Sequence, residues 1–141
     1  MEVKDLLRMS TPELDDLFKR LETGPIPDGS ASGTAIIAPG SSYSDEIAAI
    51  VRFLVWQGKV FNAKRGVLTN KVSPLGVKAI VATVYKDPSW LDHKECIAID
   101  YSQTSIVAQW VRDEIRLISP GLYLDKVYWN RARLIDFALQ F

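Results

Sequence analysis

The feature that most constrains this chain is a change of period at Gly58. From Lys59 onward, apolar residues recur at every second position in short runs: KVFN, GVLTNKV, VKAIVATVY, ECIAIDYS, EIRLIS, GLYLDKVYW and RLIDFALQF. Successive side chains of a strand point to opposite faces, so this alternation predicts strands. Turn residues separate the runs at Lys64-Arg65-Gly66, Pro74-Leu75-Gly76, Lys86-Asp87-Pro88, Pro120-Gly121 and Asn130-Arg131. Connections this short join antiparallel neighbours, which predicts a meander. The longer piece SQTSIVAQWVRD, after Tyr101, is expected to hold one turn of helix.

Before Gly58 the period is helical. In STPELDDLFKRLE, Thr11 is placed to cap, Pro12 suits the first helical position and Glu13 complements the positive helix end. Leu14, Leu17, Phe18 and Leu21 then share one face, and Val3, Leu6 and Leu7 predict a short turn of helix ahead of it. Pro25 and Pro27 in GPIPDGSASG end the helix, and SGTAIIAPG reads as a first strand. Ser44 caps a second expected helix, which buries Ile47, Ile50, Val51, Leu54 and Val55 and stops at Gly58. Six or seven successive strands after two helices predict an α+β, mostly β fold: a strongly curved antiparallel sheet or a barrel with two helices in its N-terminal half. The 141 residues suit one domain, 1–141, in which 1–58 is a helix-rich part packing on the strands of 59–141.

Lys+Arg and Asp+Glu both number 17, so there is no basic surplus of the kind phosphate binding uses, and no nucleic-acid partner is expected. MEVKDLLRMS has no apolar signal core, and no apolar run reaches membrane-helix length, which predicts a cytoplasmic protein with no membrane partner. Cys96 and His93 are each alone, so neither a disulfide nor a thiolate or histidine metal cage is available. No nucleotide-binding or hydrolase motif occurs, and no cofactor is expected.

The strands carry mixed faces. GLYLDKVYW sets Leu122, Leu124, Lys126 and Tyr128 against Tyr123, Asp125, Val127 and Trp129, and neither face is purely apolar. A barrel with a partly polar lumen has this pattern, as do sheets covered by helices. Asp100 sits within an apolar strand beside Cys96 and Ala98, where a carboxylate must be paired or change its pKa. Its ordinary reading is a salt bridge to Arg112 or Arg116, or a turn-capping role just before Ser102; its functional reading is a site carboxylate, with Asp136 as a candidate to meet it in one lumen. Arg116 is suited to a ligand carboxylate, and Lys59 to the barrel mouth or to helix carbonyls. Trp56, Tyr85, Tyr123 and Tyr128 have the apolar body and polar tip that suit a cavity lining, as do Trp90, Tyr101, Trp110 and Trp129. His93 is expected in an exposed turn, and Cys96 as an inert buried thiol.

The stretch ELDDLFKRLETGPIPDGSASG followed by WQGKVF resembles a family of uncharacterised bacterial and fungal proteins named for a GxWxG motif. Gly29 to Gly33 stand where GxWxG falls, with Ala31 in place of the tryptophan, and Trp56 to Phe61 match a WxGKxF element. Asp100-Tyr101, Asp113 to Arg116 and Gly121 to Tyr128 resemble its later pieces. The resemblance implies a lipocalin-like barrel that holds a small apolar molecule. It carries no settled activity with it.

Three functions follow as expectations. The first is binding of a small hydrophobic ligand in the barrel, lined by Trp56, Lys59, Tyr85, Asp100, Arg116, Tyr123 and Tyr128. The second is a cofactor-independent isomerase or cyclase that uses Asp100 or Asp136 with a tyrosine in the same cavity. The third is a homodimer formed through exposed aromatics such as Trp90 and Trp129.

Overall fold

The seven alternating runs and the expected first strand account for eight antiparallel strands: β1 (Gly29–Ile36), β2 (Lys59–Asn62), β3 (Val67–Asn70), β4 (Ile80–Pro88), β5 (Glu95–Asp100), β6 (Val111–Ser119), β7 (Leu122–Trp129) and β8 (Ala132–Gln140). In this computed structural model, which describes residues 1–37, 59–70, 80–102 and 109–141, the strands pair in sequence order and close into a barrel. β1 makes the closure by changing partner. Gly29 to Ala31 pair with β2, whereas Ser32 to Ile36 pair with β8. Two short helices precede it, α1 (Val3–Leu6) and α2 (Thr11–Arg20). The α+β, mostly β barrel expected from the periodicity is therefore what forms. Among the described residues no helix is long and apolar enough to cross a membrane.

Local details depart from the sequence reading at three points. Ser10, not Thr11, caps α2: its hydroxyl accepts from the Glu13 amide at 3.3 Å, and the Glu13 carboxylate accepts from the Ser10 amide at 3.1 Å. This reciprocal box satisfies two otherwise orphan donors, which one capping residue alone cannot do. β4 runs through the expected Lys86-Asp87-Pro88 turn, with Asp87 opposite Cys96 and Pro88 opposite Glu95. A proline is tolerated at a strand end, where its missing N–H breaks no ladder bond. The turn itself comes later, closed by the Ser89 amide on the Lys94 carbonyl at 2.8 Å, with His93 at φ 63. β6 begins at Val111, three residues before the expected Glu114 start. The expected helix from Ser44 to Gly58, the turn at Pro74-Leu75-Gly76 and most of the expected helical turn after Tyr101 lie outside the described residues.

The barrel buries both faces of its sheet. Inward-facing Phe61, Leu68, Ile97, Ile99, Ile115, Val127, Phe137 and Leu139 line the lumen. On the outer face, Leu6, Leu14, Leu17 and Phe18 from the helices cover Cys96, Leu122, Leu124 and Ala138. This double burial explains why the strand faces read as mixed. Each face is mostly apolar, and each carries charged residues that must find partners.

The segment between α2 and β1 caps one barrel end. The Leu117 amide donates to the Glu22 and Thr23 carbonyls at 3.2 and 3.3 Å. Thr23 Oγ1 donates to the Glu95 carbonyl at 2.9 Å, and the Tyr123 hydroxyl to the Pro25 carbonyl at 2.6 Å. Gly24 is required here: its φ is +72°, and a Cβ would lie 2.5 Å from Leu117 Cβ. Ile26 packs on the lumen cluster, and Ala31 faces into it.

Candidate functional site

Among the described residues, one lysine and two aspartates point into the apolar lumen. Lys59 enters from β2, Asp113 from β6 and Asp125 from the middle of β7, with side-chain exposures of 2 %, 0 % and 0 %. Alternation places them there: Asp113 lies between inward Val111 and Ile115, and Asp125 between Tyr123 and Val127. Lys59 Nζ is 3.3 Å from Asp113 Oδ2 and 3.8 Å from Asp125 Oδ2. Only the first contact is a hydrogen bond. The Phe137 ring centroid lies 5.8 Å from the ammonium.

The cluster is short of donors and of positive charge. Asp113 Oδ1 and both oxygens of Asp125 receive no donor from any other group among the described residues, and the two carboxyls hydrogen-bond each other when Asp125 holds a proton. One ammonium faces two carboxyls in a medium that penalises uncompensated charge. Burial pushes the Asp125 carboxyl well above the usual carboxylate range, and neighbouring Asp113 adds to the rise against the pull of Lys59. Burial alone would lower the Lys59 ammonium, but Asp113, Tyr101 and Asp125 outweigh it and raise its pKa, so it stays charged. A raised lysine is a poor nucleophile, so the cluster is built for electrostatic and hydrogen-bonding work rather than Schiff-base chemistry.

The other site candidates lie elsewhere. Tyr85 and Asp100 sit side by side on the outer face, the Tyr85 hydroxyl donating to Asp100 Oδ2 at 2.8 Å. Burial and that bond push the Tyr85 phenol up to about 12. Burial opposes ionisation of Asp100, but hydrogen bonds from Ser102 and Tyr85 hold its carboxyl below the ordinary value. Arg116 also faces outward, beneath α2, and all five of its N–H donors are used, on Asp92 and on the carbonyls of Phe18, Lys94 and Glu95. None remains for a ligand. Asp136 is on the same outer face with Lys126, 3.1 Å away, so Asp100 and Asp136 do not meet in the lumen.

Among the aromatics, Tyr123 faces the lumen, with its hydroxyl held by the end-capping segment. Tyr128 is buried on the outer face, its ring 5.2 Å from Trp90, and burial and nearby Glu114 raise its phenol. Tyr101 belongs to the lumen cluster, and Trp129 packs half-buried against it, while Trp90 and Trp110 are exposed. Trp56 lies outside the described residues. His93 is in an exposed turn, and Cys96 is a buried thiol that burial and Glu114 push up to about 12, far from a reactive thiolate. Among the described residues no group of acidic, cysteine and histidine side chains is arranged to hold a metal ion.

The sequence reading selects Lys59 of the lumen cluster and misses Asp113 and Asp125. The signal was present as an aspartate centred in an inward row, Val111-Asp113-Ile115 and Tyr123-Asp125-Val127. Starting β6 at Glu114 cut the first row short.

No protein-family model matches the chain, and no curated protein does. Among solved structures, the fold is similar to that of a protein from Thermomonospora curvata, with a TM-score of 0.62 and 16 % identity over 94 % of this chain and 88 % of that one. At that identity the likeness concerns the fold alone.

Proposed function

We propose that the barrel binds a small, mostly apolar molecule in its lumen, with one polar group of that molecule docked on Lys59, Asp113 and Asp125. The observation that carries this reading is the three carboxyl oxygens at the centre of an apolar interior that no other described group donates to. Buried polar atoms in native proteins are almost always satisfied, and exceptions ask for an explanation.

This molecule supplies its own comparison. On the outer face, Glu114 accepts from Ser89, Trp90 and Arg112, and Asp136 accepts twice from Lys126. Those clusters are structural and complete. The lumen cluster is as deeply buried and is incomplete, which is the signature of a group that waits for a ligand. The resemblance to the GxWxG family belongs to the same reading, since Ala31, at the ring position of that motif, is buried in the lumen cluster.

Native mass spectrometry of the purified protein tests this. A small-molecule adduct that is lost on unfolding is expected, or, after stripping, a rise in Tm with members of a panel of small apolar alcohols, ketones and amines. A bare mass in every preparation, together with no Tm shift from any panel member, would overturn it.

A further inference from the structure

The lumen atoms that no other described group donates to are all acceptors: Asp113 Oδ1, Asp125 Oδ1 and Asp125 Oδ2. Among the described residues Lys59 is the one cation at the cluster; one of its three N–H donors is on Asp113, and Asp125 stands 3.8 Å away. Two carboxyls against one ammonium leave the cluster one positive charge short. A ligand that completes it must bring N–H donors and that charge. We propose that the lumen takes a cationic amine, an ammonium group on a small apolar body, and that its ammonium seats against Asp125 and the free oxygen of Asp113. This rests on the binding function proposed above and names its ligand class.

Competing ligand chemistries fit less well. An anion would meet two carboxyls with one lysine already engaged. A neutral carbonyl accepts from a Lys59 N–H not used on Asp113 but supplies neither a donor nor a charge to the two carboxyls. A neutral alcohol supplies one donor but leaves the charge uneven. An ammonium brings both several donors and the positive charge that two ionised carboxyls beside one lysine lack.

Without ligand, the missing charge is met by a proton. Burial and Asp113 both favour the neutral form of Asp125. The charged and titratable groups around it are Lys59 on β2, Asp113 on β6 and Tyr101 after β5, with Asp136 acting from the outer face of β8. An incoming ammonium takes that proton's place, so binding releases it to solvent. Atoms and charge balance: the ligand enters as the ammonium, and Asp125 leaves its neutral state as the carboxylate.

Three probes of one shape test the inference: benzylamine, benzyl alcohol and benzoate. Titration calorimetry at about pH 6, where a free amine is protonated and an ordinary carboxyl ionised, is run in two buffers of different ionisation enthalpy. The amine is expected to bind about tenfold or more tighter than the alcohol, as a charge-assisted bond to a buried acceptor requires, with benzoate weakest. Its binding is expected to release protons, read from the buffer dependence of the heat. Asp125→Asn is expected to lose both the amine preference and the proton release while still binding the alcohol. Alcohol or benzoate matching the amine, or amine binding with no proton released, overturns the cationic ligand and leaves lumen binding intact. Failure of all three probes to bind overturns both. The wild-type comparison needs no variant, so a misfolded Asp125→Asn does not decide the outcome.

Discussion

At the scale of residues, the two kinds of buried charge in this molecule predict opposite pH behaviour. Asp125 is raised by burial and by Asp113, so its folded form holds a proton that the unfolded chain gives up in the ordinary carboxylate range. Its contribution to stability is therefore fully present below about pH 4 and is lost as pH rises through its folded value. Asp125→Asn should flatten that decline and be more stable than wild type at neutral and mildly alkaline pH, read as urea midpoints across pH. An unchanged slope would contradict the assignment. Asp92 behaves in the other sense. Hydrogen bonds from Arg116 hold it at about 2 against some burial. The stability it lends is present above the ordinary carboxylate value and lost as pH falls toward about 2, so Asp92→Asn should shrink the acid-induced loss. Gly24→Ala combines a φ of +72° with a 2.5 Å approach to Leu117, and should cost about 1–3 kcal/mol in urea denaturation.

At the scale of elements, α2 is fastened to the barrel by charge as well as by its apolar face. Lys126 Nζ reaches Asp15 on α2 at 2.7 Å and Asp136 on β8 at 3.1 Å, and lies 5.6 Å from the Phe18 ring centroid. Arg116 stands 4.4 Å from the same ring. Lys126→Met should cost about 3–5 kcal/mol because it leaves Asp136 buried without a cation. Adding Asp136→Leu should restore most of that loss. If the double variant is no more stable than the single one in urea, the cost lies in packing rather than in an uncompensated charge.

Much of the element scale was legible in the chain. Each strand has its run of alternating residues, because a closed barrel demands alternation on every strand. The turns at Gly66, Gly121 and Asn130-Arg131 are marked by residues that accept positive φ. What the runs could not show is which face is inside. Lys126 and Asp125 are neighbours in sequence, and either could be the lumen residue on periodicity alone. The answer depends on which rows the helices cover, a non-local fact. For the same reason Asp100, Arg116 and Asp136 read as site candidates, yet serve the outer face. Lys59 was legible because it opens the first alternating run, and its two carboxyl partners come from strands far away in sequence.

At the scale of the whole molecule, the barrel has a complete outside and an incomplete inside. Among the described residues the buried charges of the outer face are paired, the helices cover the apolar rows and the segment from Leu21 to Pro27 caps one end. Among the described residues, the buried side-chain polar atoms that no other group donates to all lie at the centre of the lumen. Lumen occupancy is read most directly by methyl NMR during a titration with benzylamine. The account predicts shifts of the lumen methyls of Ile97, Ile99, Ile115, Val127 and Leu139, with the outer-face methyls of Leu14, Leu17 and Leu122 unmoved. Shifts confined to the outer face, or to the neighbourhood of exposed Trp90 and Trp110, would contradict it.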